Sequence, residues 1–330
     1  MDGFTAGERT IGPMIDRDEL RFRAGDASLA GTLTLPPVEG RAPWALLVPS
    51  WLPRDRDGGW DRRGHPTWFA PGAAEPGLFE RLADALAARG VASLRYDPRG
   101  CGESEGAWER TALFTRIDDA RDAIGAMRSR RELDLRRTAV VGHGEGSGIA
   151  MSVAIGDPAV GALGLIGASA RSARTVLRRG VGTRAHTGRH RAHPVVVALD
   201  RSVEELIEHA ERGEPMLTIR VGDEPVALDL AAWDQAIHTP PLALASMLHR
   251  NVVLVHGADD AWADPEESRL LAAALAEAGN EPELTVIDGA GHDLAEASDE
   301  AVQAFADALV ARMQPRELPP VLVAIEEMGG

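Results

Sequence analysis

The chain has 330 residues with 51 acidic against 35 basic ones, a formal charge of −16, and every basic residue is arginine. The absence of lysine excludes Schiff-base chemistry and the P-loop phosphate cradle, and the acidic balance argues against nucleic acid as a partner. One cysteine, Cys101, excludes an intrachain disulfide and a Cys-rich metal site.

Residues 19–35 alternate and break at Ala24-Gly25-Asp26, which predicts a β-hairpin. The apolar run 45–49 predicts a buried strand, 78–90 a helix stopped by Gly90, 91–97 a strand and 112–130 a helix. Strand 137–144 runs directly into helix 145–156, and strand 162–169 follows. After residue 250 come strand 251–260, helix 265–279, strand 283–292 and helix 299–313, and the proline-bearing tail 314–330 is expected to be extended. Alternation of this kind predicts a mostly parallel central sheet with helices on both faces. Residues 1–170 and 250–313 supply the two parts of the core. Residues 171–249 break the rhythm and read as a lid inserted over the carboxyl edge of the strands, where such sheets bind ligands. No apolar run reaches the ~20 residues of a membrane helix. The N-terminus lacks the pattern of a signal peptide, so no membrane and a cytoplasmic location are expected.

The strand–turn–helix Val140-Val-Gly-His-Gly-Glu-Gly-Ser-Gly148 resembles the nucleophile elbow, G-x-S-x-G, of the α/β-hydrolase superfamily. Other segments agree in order. Residues 52–59 resemble the oxyanion loop of serine-aminopeptidase-like hydrolases, and residues 96–106 their D-x-R-G-x-G-x-S turn. His256-Gly-Ala-Asp-Asp260 resembles the acid turn, and Gly289-Ala-Gly-His-Asp293 the histidine turn. The resemblance spans about residues 19–313. It implies the α/β-hydrolase fold, His292 as base, and Asp260 as acid with Asp259 as the alternative. At the nucleophile position stands Gly144: the serine is absent. Glycine tolerates the turn's backbone, so the elbow should survive while its hydroxyl does not, which closes acyl-enzyme formation at that residue. Ser147 lacks the flanking glycines of an elbow and should sit one turn into the helix. Cys101 lies in a turn of structural character.

What the resemblance leaves is a His292–Asp260 dyad, with Asp260 holding the imidazole in one tautomer. It also implies an oxyanion hole from the backbone N–H of Glu145, at a helix N-terminus, and that of Trp51, with Ser50 adjacent. Trp51 and Trp262 are candidate walls of an aromatic pocket, and His143 is a further candidate beside the elbow. Trp60, Trp68, Trp108 and Trp233 are expected to pack their own segments. Residues 171–193 carry seven arginines and no acid. That patch could receive an anionic partner such as coenzyme A or an acyl-carrier protein. The nearby His186, His190 and His193 lack the rigid frame of a zinc site, so neither metal nor cofactor is expected.

Three functions stay open. The first is an ester or thioester hydrolase or acyltransferase scaffold for a small acyl or aromatic substrate, its serine replaced, including by engineering. The second is a natural non-covalent enzyme whose dyad drives elimination, cyclisation, C–C cleavage or water activation. The third is a ligand- or partner-binding pseudo-enzyme.

Overall fold

The computed structural model describes residues 14–61, 63–65, 77–176, 178, 194–221, 223–260, 262–294 and 297–328. Trp68, Arg179, Arg184, Arg189, Arg191, His186, His190 and His193 lie outside them. The strands are β1 (Asp16–Ala24), β2 (Ala27–Leu35), β3 (Ala42–Val48), β4 (Ala92–Tyr96), β5 (Leu133–His143), β6 (Val160–Ile166), β7 (Met216–Val221), β8 (Glu224–Asp229), β9 (Asn251–Gly257) and β10 (Glu283–Ile287). The helices are α1 (Leu78–Ala87), α2 (Leu113–Met127), α3 (Glu145–Gly156), α4 (Pro194–Glu211), α5 (Leu230–His238), α6 (Leu242–Ala245), α7 (Pro265–Glu277), α8 (Asp299–Arg312) and α9 (Pro320–Met328).

Eight strands form the main sheet in the order β1-β2-β4-β3-β5-β6-β9-β10. The first two pairings, β1 with β2 and β2 with β4, are antiparallel, and the remaining neighbours are parallel. The hairpin turns at Gly25, whose φ of 52° suits a residue without a Cβ. The inner strands β4, β6 and β9 are buried along nearly their whole length, as strands covered on both faces must be, while the edge strand β10 is not. One face packs against α2, α3 and α7 and the other against α1 and α8. Helix α1 buries Leu78, Phe79, Leu82 and Leu86 at helical spacing. Helix α7 starts at Asp264, whose side chain accepts the Glu266 N–H, with Pro265 in the first turn.

Several strands end short of their predicted limits: β5 at His143, β6 at Ile166, β9 at Gly257 and β10 at Ile287. The residues left over are the motifs themselves, which turn off the carboxyl edge and face one another there. Within 171–249, α4, the β7–β8 hairpin and α5 share an apolar cluster with Leu52, Cys101 and Trp108 from loops of the sheet's carboxyl edge. The tail is a correction. It was expected to be extended, yet it carries α9. A proline in the first turn suits a helix start, and Leu318 and Leu322 are buried against the core, so packing outweighs the proline-rich composition. No described helix is long and apolar enough to cross a membrane.

Candidate active site

The elbow keeps its shape. Gly144 has φ 56° and ψ −120° between β5 and α3, a backbone that disfavours any residue with a Cβ. Its N–H donates to the Ile166 carbonyl at 2.8 Å. The flanking glycines are required by contact: a Cβ on Gly142 would lie 2.1 Å from the Gly146 carbonyl oxygen, and one on Gly146 would lie 2.4 Å from the Val48 carbonyl oxygen. Such approaches fix both positions as glycine whatever the central residue is. Ser147 is buried on α3 and donates to the Gly142 carbonyl at 2.9 Å, so its hydroxyl is used inside the turn. Burial pushes the Cys101 thiol well above its ordinary range, which keeps it protonated and unreactive.

His292 and Asp260 meet. Nδ1 of His292 lies 2.7 Å from Oδ2 of Asp260, and the carboxylate is fully buried. Asp260 Oδ1 accepts the backbone N–H groups of Trp262 at 2.7 Å and Ala263 at 2.9 Å. His256 Nε2 stands 3.1 Å from its Oδ2. Asp259, the alternative acid, is exposed, its N–H bonded to the Ala290 carbonyl. Burial by itself would raise the Asp260 carboxyl. The His292 charge and the hydrogen bond from His256 outweigh that and hold the carboxyl well below the usual range. Burial would likewise lower His292, but the Asp260 charge and hydrogen bond raise it above the ordinary imidazole value. Space for the pair is made by Gly167, where a Cβ would stand 3.1 Å from the His292 ring.

His143, the candidate beside the elbow, does not line the cavity. It is buried beneath the base, its Nε2 3.0 Å from the His292 carbonyl oxygen and its ring 4.6 Å from the His292 ring. Burial and the neighbouring His292 charge hold it well below the ordinary imidazole range.

In front of the dyad opens a mostly apolar cavity of about 240 Å³ that Ser50, Gly144, Glu145 and His292 line. Trp51 and Trp262 line it as expected, and so do Trp108 and Trp233, which sequence reasoning had assigned to local packing. The four indoles are one cluster: Trp51 stacks on Trp108 with centroids 5.8 Å apart and meets Trp233 at 4.7 Å and Trp262 at 6.3 Å edge to face. The Trp108 indole N–H donates to the Trp51 carbonyl at 2.6 Å. Four distant stretches of chain supply these rings, so spacing along the sequence gave no sign of the cluster. Trp60 packs against the same apolar cluster, with its ring 4.0 Å from the Arg54 guanidinium. Glu145 is paired with Arg116 at 2.7 Å on the cavity wall.

Three arginines of 171–193 are described, and each has an acidic partner. Arg171, Arg174 and Arg178 pair with Glu267, Glu211 and Glu204. The sequence around residue 60 also hid a cluster. Asp61, His65 and Cys101 bring ligand-type atoms within 4.8 Å of one another, with Asp61 accepting the Gly64 and Gly102 N–H groups and His65 Nε2 3.0 Å from the Gly100 carbonyl oxygen.

The sequence model of the family described as serine aminopeptidase, S33, matches residues 69–299. No curated protein matches the chain. Among solved structures, Est1E from Butyrivibrio proteoclasticus with ferulic acid bound is similar over 88% of this chain and 99% of its own, at 17% identity and a TM-score of 0.62. The α/β-hydrolase GrgF from Penicillium sp. sh18 covers 90% and 99%, at 17% identity and 0.61. The acylaminoacyl peptidase of Pyrococcus horikoshii is similar over 94% of this chain at 14% identity and 0.61, and the chain spans 44% of that protein's length. At these identities the structures speak for the fold. The family match, extending over more than half of the chain and enclosing the elbow and both dyad turns, establishes that the protein belongs to the serine aminopeptidase S33 family of α/β-hydrolases.

Proposed function

We propose that the protein is an esterase-type enzyme that takes small apolar or aromatic acyl esters or thioesters into the tryptophan-walled cavity and uses His292 as its general base. One observation carries the reading: His292 is tied to Asp260 through Nδ1 at 2.7 Å and lines the cavity, while its Nε2 makes no hydrogen bond to a described residue. An imidazole held by a buried carboxylate on one nitrogen and open on the other is built to take a proton from a hydroxyl in the cavity. The aromatic walls favour a flat or apolar acyl group, and the fold's ability to hold an aromatic acid in Est1E agrees with that choice. The N–H groups opening α3, Glu145 first, have no intrahelical partner. They are positioned to receive a developing oxyanion, with the Trp51 N–H as the second donor.

Glycine at position 144 leaves a space that Ser50 and His292 border. A Cβ there would stand 2.7 Å from Ser50 Oγ and 2.9 Å from His292 Nε2, closer than side-chain carbons approach such atoms. The described arginines of 171–193 are each neutralised by an acid, so they add no support for coenzyme A or an acyl-carrier protein. The test is hydrolysis of p-nitrophenyl esters of acetate, butyrate and benzoate by the wild type and His292→Ala. General-base loss should lower kcat/KM by about 10²–10⁴, with the benzoate ester preferred by the wild type. A His292→Ala variant at the wild-type rate would sink the reading.

A further inference from the structure

We infer that Ser50, at the end of the β3 loop, supplies the nucleophilic hydroxyl that the elbow lacks. The inference rests on the base reading of His292 and goes beyond it by naming the group His292 deprotonates.

Three independent observations bring Ser50 to the reacting position. Strands β3 and β5 are parallel neighbours whose last pair is Val48 with Gly142, so both chains leave the sheet at the same edge, one into Ser50 and the other into the elbow. The point where a residue-144 Cβ would stand is approached by Ser50 Oγ at 2.7 Å and by His292 Nε2 at 2.9 Å. The hydroxyl of Ser50 therefore borders the space that an elbow side chain would fill, as does the open nitrogen of the base. Finally, Ser50 is nearly buried yet lines the cavity, and its hydroxyl makes no hydrogen bond to a described residue. The contrast with Ser147 is direct, since that hydroxyl is committed to the Gly142 carbonyl.

The chemistry closes on these groups. Ser50 Oγ attacks the acyl carbon and its proton passes to His292 Nε2. The new O–C bond displaces the carbonyl π pair onto oxygen, and the N–H groups at the start of α3 receive that charge. Collapse of the oxyanion breaks the bond to the leaving alkoxide or thiolate, which takes the proton from His292. Water then attacks the Ser50 ester, His292 again takes a proton, and the carboxylic acid leaves as the proton returns to Oγ.

The test treats the full chain with a fluorophosphonate probe, maps the adduct by peptide mass spectrometry, and measures aryl-ester hydrolysis in parallel. The expected adduct is on Ser50, absent in Ser50→Ala and in His292→Ala, with turnover by Ser50→Ala down at least about tenfold. Because Ser50→Ala could perturb the loop, Ser50→Cys is the second variant: its thiol should be alkylated by iodoacetamide faster than Cys101, and more slowly once His292→Ala is added. An adduct on another serine, or none at all, overturns the inference. So does a turnover loss of less than about tenfold in Ser50→Ala while His292→Ala is inactive, an outcome that leaves the base reading intact with water as nucleophile. Wild-type turnover by His292→Ala overturns both.

Discussion

Oδ2 of Asp260 lies 2.7 Å from Nδ1 of His292, and its Oδ1 is held by the Trp262 and Ala263 N–H groups. The carboxylate is thus fixed before it fixes the imidazole. Asp260→Asn keeps the volume but removes the charge and permits the wrong tautomer of His292. Turnover of an aryl ester should fall by about four orders of magnitude, with KM little changed. Steady-state kinetics on the purified variant check this, and a loss below tenfold would place the working acid elsewhere.

The direction of the His292 shift sets the pH profile. Its folded value is raised above the ordinary imidazole value, so the neutral base forms only at higher pH. The kcat/KM of the wild type should therefore rise on a limb whose midpoint lies above about 6.5. The same shift links to stability. Protonated His292 is favoured in the fold, so its contribution is fully present below the unfolded imidazole value and is lost as pH rises through the folded one. Asp260 behaves oppositely: its depressed value gives stability present above the usual carboxylate range and lost as pH falls through and below it. Thermal melts of wild type and His292→Ala across pH 5–9 should converge toward the alkaline end. A wild-type rate limb centred below 6 would contradict the raised base.

Gly144→Ala tests the elbow. The added Cβ meets Ser50 and His292 and sits at φ 56°, so the variant should lose about 1–3 kcal/mol of stability. Adding Ser50→Gly removes one of the two colliding groups and should recover roughly 0.5–1 kcal/mol of that loss. Urea melts of the four chains in the cycle measure the coupling. Additive effects would mean that the two residues do not share one space.

Trp262 separates binding from chemistry. Its backbone N–H serves Asp260 while its indole lines the cavity. Trp262→Ala should therefore raise KM for a benzoate ester about tenfold and leave the midpoint of the pH profile in place. A shifted midpoint with unchanged KM would show that the ring acts on the dyad and not on the substrate.

Much of this molecule is decided along the chain. Hydrophobic runs at period 2 and 3.6 placed the strands and helices, since each must bury its apolar face whatever its neighbours are. The order of the elbow, acid turn and histidine turn singled out Gly144, Asp260 and His292, because a turn's backbone demands particular residues locally. Helix α9 escaped this reading: its prolines signalled extension, and only burial of Leu318 and Leu322 makes the helix worthwhile. Part of the cavity escaped it too: Trp51 and Trp262 were candidates for its walls, and Trp108 and Trp233 were not. Trp51, Trp108, Trp233 and Trp262 come together from loops and an insertion far apart in sequence, and no local preference encodes a meeting of that kind. Asp259 and Asp260 differ by one position along the chain, and only the tertiary structure sets Asp260 against His292 and leaves Asp259 exposed. The chain alone showed a hydroxyl missing from the elbow. The tertiary structure put another, on Ser50, beside that position, because which loops meet at the sheet's edge is written in neither of them.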